Sequence, residues 1–114
     1  MKRIAIGFLV MTMGFVACTT EMIGGPKAHL TEAVEHTEEA IEQGREGHLY
    51  GLSRHAEVAL ENAEAAQKDL KDNAHVQQGI EELKEAILQS RADDILKATQ
   101  SAEGALRHLH AAAQ

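Results

Sequence analysis

The chain has 114 residues, with 18 acidic against 11 basic side chains and a formal charge of −7; this balance argues against nucleic acid or anionic lipid as partners and suits cations. That length is enough for one domain. A single cysteine excludes an intramolecular disulfide, and without Trp, and with only two Phe and one Tyr, the core must be built from Leu, Ile, Val and Ala.

The first element is a leader. In "MKRIAIGFLVMTMGFVAC", Lys2 and Arg3 precede an apolar stretch from Ile4 to Val16. That stretch falls short of the ~20 residues that span a bilayer as a helix and fits the apolar region of a secretory signal. "FVAC" (Phe15 to Cys18) resembles a bacterial lipobox, whose cysteine becomes the acylated first residue of the mature chain. Ordinary signal cleavage, leaving a free thiol at Cys18, is the alternative. The expected division is a signal peptide of lipoprotein type over 1–17, a tether over 18–25 and one domain over 26–114. The domain is then periplasmic, with membrane contact only through a lipid on Cys18. Removing 1–17 leaves 18 acidic and nine basic residues, a net charge of −9, and no Phe.

Four helices are predicted next. Pro26 suits a first helical position, where its missing N–H costs nothing. The first helix runs to Gln43 with an apolar stripe of Leu30, Val34, Thr37 and Ile41. "GREG" (Gly44 to Gly47) turns the chain, and the second helix spans His48 to Gln67 with a seam of Leu49, Leu52, Ala56, Ala59 and Ala63. "KDLKDN" (Lys68 to Asn73) is the longer connection, and Asp72 or Asn73 can cap the third helix. That helix carries Val76, Ile80, Leu83 and Ile87. Asp93 or Asp94 caps the fourth, whose seam is Ile95, Thr99, Ala102, Leu106 and Leu109. Short loops between apolar-striped helices predict an all-α, up-down-up-down antiparallel four-helix bundle. Residues 29–66 align without a gap on 75–112, with thirteen of the 38 positions identical, so the bundle reads as two copies of one helical hairpin.

Seven histidines stand in the mature chain: His29, His36, His48, His55, His75, His108 and His110. Six follow one rule. The residue just before each seam, and those 7 and 14 positions further on, are His29, His36, Gln43; His48, His55, Asn62; His75, Glu82, Gln89; and Asp94, Ser101, His108. All twelve positions are polar and lie on the flank of the apolar stripe. Residues seven apart are ~10.5 Å apart along a helix, so two histidines of one helix cannot share an ion with bonds of about 2 Å. The donors must come from different helices, or from a histidine and a carboxylate three or four residues away, as Glu32, His36 and Glu39 offer. Residues of the first hairpin whose numbers sum to about 91 lie at equal height, and His36 and His55 do; near 183 in the second hairpin, His75 and His108 do. Two bundle arrangements remain open. If the flanks share the groove within each hairpin, His36 meets His55 and His75 meets His108; in the opposite arrangement His29 meets His108 and His55 meets Glu82. His110, outside the register, is either a frayed terminal residue or a second donor beside His108.

Imidazole with carboxylate suits Cu(II), Ni(II) and Zn(II), and the intrinsic affinity order favours Cu(II). Because imidazole must be neutral to bind, affinity is expected to fall as pH drops through about 6.5. "HLTEAVEHTEEAIEQGREGH", "RHAEVALENAEAA" and "NAHVQQGIEELKEAI" resemble the histidine-rich small metal-binding protein family of ammonia-oxidising and related bacteria. The resemblance covers residues 28–112 and implies a periplasmic four-helix bundle that takes up divalent metals, copper above all. The family's ligand stripe matches at His29, His36, His48, His55, His75 and His108. It departs at Gln43, Asn62, Glu82, Gln89, Asp94 and Ser101, where the family more often has histidine, and at the lipobox.

Other classes fit less well. No histidine has Glu three residues before it, as a ferritin-like di-iron site needs, and Cys-x-x-Cys-His, the c-type haem motif, is absent. No serine or cysteine stands in a nucleophile motif, so the expectation is a non-enzyme without haem. The rival is a structural or adaptor lipoprotein of the envelope, whose charged helix faces bind another protein not identifiable from the sequence.

Overall fold

A computed structural model describes residues 25–114; the expected signal peptide, the acylation of Cys18 and most of the tether lie outside the described residues. The rest folds into four α-helices, α1 (Pro26–Arg45), α2 (Leu49–Gln67), α3 (Ala74–Arg91) and α4 (Ile95–Ala113), with no strand among the described residues. α1 packs chiefly on α2 and α3 on α4, and the two hairpins meet along α1 with α4 and α2 with α3. This is the expected antiparallel four-helix bundle. Across its diagonal α2 touches α4, where the buried residues are mostly alanine (Ala56, Ala59, Ala63; Ala98, Ala102, Ala105). Short side chains let these two backbones approach closely. No helix of the described residues is long and apolar enough to cross a membrane.

Local chemistry sets the helix ends. Pro26 opens α1, and the Asn73 side chain caps α3 by accepting from the backbone N–H of His75 at 3.0 Å and of Val76 at 3.2 Å. Asp94, not Asp93, caps α4 by accepting from Lys97 N at 3.1 Å. Asp93 serves the α3–α4 turn instead, as its left-handed residue with φ 62°; Gly47, with φ 86°, is its counterpart in the α1–α2 turn. The two stand 46 positions apart, the offset that aligns the halves.

One boundary differs from expectation. α1 does not stop at Gln43 but continues through Gly44 to Arg45. Gly44 is buried, and any side chain there would run into Thr99 of α4 and Leu52 of α2. It is therefore a contact glycine inside the helix, and the turn begins two residues later. α2 likewise starts at Leu49, with His48 as its N-terminal flanking residue.

The largest fully buried side chains are Leu52, Leu83, Leu109, Val76 and Thr37. The Thr37 hydroxyl is satisfied by donating to Ala33 O at 2.6 Å. In α1 the alanines Ala33 and Ala40 are wholly buried, whereas Val34 is only partly so. At 100° per residue this turns the buried face roughly 40° from the centre of the Leu30–Val34–Thr37–Ile41 stripe, toward the flank that carries His29 and His36. The histidine flank is thereby drawn into the groove between α1 and α2.

Candidate metal centre

That groove brings His36 of α1 and His55 of α2 together. Their rings stack with centroids 5.5 Å apart and planes 23° from parallel, and their Nδ1 atoms lie 3.2 Å apart. Glu39, one turn after His36 on the same helix, sends Oε1 to 3.2 Å from His36 Nδ1 and 3.7 Å from His55 Nδ1. Three donor atoms thus form a triangle with edges of 3.2, 3.2 and 3.7 Å. A tetrahedral ion with bonds of 2.0–2.1 Å needs donors ~3.3 Å apart, so the triangle is one face of such a coordination sphere.

The local reason is the antiparallel hairpin. Residues 36 and 55 fall at equal height around the Gly47 turn, and both stand on the flank beside the seam. Glu39 reaches the same point because residues three apart share a helix face. The side chains of His36 and His55 are 26% and 31% exposed and that of Glu39 52%, so an ion here would sit at the rim of the core and exchange with solvent. Two imidazoles and a carboxylate suit Cu(II), Ni(II) or Zn(II), and leave coordination positions open.

The other histidines separate into three situations. His75 and His108 stack across α3 and α4 with centroids 5.9 Å apart and planes 29° from parallel, a second imidazole pair in the second hairpin. His29 faces Asn62 instead of a histidine, with Nδ1 3.2 Å from Asn62 Oδ1. The shared-groove arrangement is thus the one adopted, and His29 does not meet His108. His48 is exposed beside Glu46 (3.5 Å), and His110 points across to Glu38 of α1 (3.7 Å) instead of standing beside His108.

The two halves place their imidazole pairs at different levels. Under the 46-residue offset His36 and His55 correspond to Glu82 and Ser101, and His29 and Asn62 correspond to His75 and His108. Among the described residues, His36, Glu39 and His55 are the group of three or more such donors that converges on one point. The carboxylate is the member that the histidine pattern underweights. Its signal was its place three residues after His36, which it shared with Glu32 four residues before.

A family model described as small metal-binding protein matches residues 1–112 of the chain. No curated protein matches it.

Proposed function

We propose that this chain, which belongs to the small metal-binding protein family, holds a divalent transition-metal ion between α1 and α2 on His36, Glu39 and His55. Metal binding as such is the family's property. The particular site, the particular ion and the place of action are our reading. The observation that carries the site is the donor triangle, whose 3.2, 3.2 and 3.7 Å edges fit the ~3.3 Å spacing of ligands around an ion with 2.0–2.1 Å bonds. Cu(II) is the favoured ion by intrinsic affinity, with Ni(II) and Zn(II) behind it.

His75 and His108 supply a second, weaker site, since two imidazoles without a close carboxylate offer one donor fewer. Surface exposure of the three-donor site suits uptake and release, hence sequestration, buffering or delivery. The lipobox-like "FVAC" supports a place in the periplasm, anchored through Cys18. The family is described by metal binding and not by a reaction, which supports reading the chain as a non-enzyme.

Equilibrium dialysis against Cu(II), Ni(II) and Zn(II), with metal counted per chain, tests this. One tightly held ion per chain, followed by a weaker second, is the expected result, with Cu(II) retained best. Chains that dialyse free of all three metals would instead favour an envelope adaptor whose charged faces bind a protein.

A further inference from the structure

His36 is approached by carboxylates on both ring nitrogens. Nδ1 faces Glu39 and His55, each 3.2 Å away, while Nε2 looks outward to Glu32 Oε2 at 3.9 Å. Glu32 lies one turn before His36 on α1, so the two nitrogens are served from opposite sides by residues of one helix. The geometry leads to a division of labour that the donor count does not show. An ion taken on Nδ1 leaves the only ring proton of neutral His36 on Nε2, where it needs an acceptor.

We propose that Glu32 is a positioning residue and not a ligand: it accepts the Nε2–H of His36 and so fixes the ring with Nδ1 turned into the three-donor site. This rests on the metal reading above. The physical ground is general. A histidine that ligates through one nitrogen is oriented and made more basic when a carboxylate accepts the proton of the other. Glu32 is exposed and 3.9 Å away, within ion-pair reach but not yet at hydrogen-bond distance. A small side-chain rotation closes the gap without disturbing the core, because none of its carboxylate lies there.

The corresponding residue in the second half is Gln78, and the residue corresponding to His36 there is Glu82. The carboxylate thus accompanies the half that keeps the histidine at this level. His36 is also the histidine with carboxylate oxygens near both ring nitrogens, at 3.9 Å on Nε2 and 3.2 Å on Nδ1.

Zn(II) is the probe, since it is diamagnetic and allows imidazole nitrogens to be assigned by NMR. In the Zn(II)-loaded full chain, Nδ1 of His36 and His55 should carry the metal, with a protected Nε2–H on His36. Glu32→Ala should weaken Zn(II) binding about tenfold, the lower end of what loss of such an outer partner costs, and should lose that protected proton. Glu32→Gln, which keeps an acceptor oxygen, should recover most of the affinity, and Glu35→Ala, which removes the same charge elsewhere on α1, should leave it unchanged. Wild-type affinity in Glu32→Ala, or equal weakening by Glu35→Ala, would each overturn the role of Glu32 while leaving the site itself standing, whereas Zn(II) on Nε2 of His36 would overturn both the role and the Nδ1 triangle. A wild-type chain that takes no Zn(II), Cu(II) or Ni(II) at all would overturn the site, and this role with it.

Discussion

Two imidazoles and one carboxylate meet at a point without any one of them being buried, and each would contribute differently to holding an ion. Glu39 would bring the negative charge that offsets part of a divalent ion's, with its Oε1 3.2 Å from His36 Nδ1 and 3.7 Å from His55 Nδ1. Glu39→Gln keeps the size and one oxygen but removes the charge. We expect it to weaken Cu(II) binding by at least tenfold while leaving the thermal midpoint of the metal-free chain unchanged, because the residue is exposed. Isothermal titration beside circular dichroism reads both. Acidification should act in the same direction, since protons compete with the ion for Nδ1 of His36 and His55; titrations at falling pH should therefore show steadily weaker binding. The register of the histidines and their matched heights were legible in the sequence, because a seven-residue repeat and an antiparallel turn fix both. The choice of carboxylate was not. Glu32 and Glu39 are both surface neighbours of His36 by spacing alone, and only the folded groove decides that one faces inward and the other outward.

Helices and turns set the heights at which those residues meet. Both hairpins turn through a left-handed residue, Gly47 in the first and Asp93 in the second. Aspartate tolerates that conformation better than most residues, but a side chain without its short polar group does not. Asp93→Ala should therefore destabilise the chain by about 1 kcal/mol, whereas Asp93→Gly should not, as measured by urea unfolding. A like loss on Asp93→Gly would mean that the turn depends on the aspartate side chain rather than on its backbone angle. Helix existence was readable from the sequence, and capping to within a residue, since Asp72 or Asn73 and Asp93 or Asp94 were the candidates and the fold uses Asn73 and Asp94. The end of α1 was not, because a glycine followed by charge and a second glycine reads as a stop. Gly44 instead lies buried inside the helix, where Thr99 and Leu52 leave no room for a side chain, a packing that local rules do not sense.

At the scale of the whole molecule, the arrangement of the bundle decides which histidines become partners. Large apolar residues alone outline the stripe of α1, and they misplace its centre, since alanine gives no clear signal of burial until the fold is known. Ala33 and Ala40, both wholly buried, turn α1 so that its histidines face α2. That is why the pairing alternatives stayed open in the sequence and closed in the structure. Both imidazole pairs join helices of the same hairpin, so an ion in either site staples one hairpin and does not bridge the two. The family match covers residues 1–112 and names metal binding as the common property, without placing the ion.

The central claim is that histidines from two helices of the first hairpin hold the ion. Its most direct test is a calorimetric Cu(II) titration of the chain beside a His36→Ala, His55→Ala variant, with circular dichroism to show that both fold. A Kd of roughly 1 μM or below is expected for the tightest site, lost in the variant while the weaker site at His75 and His108 persists. Equal affinity and stoichiometry in the two proteins would contradict it.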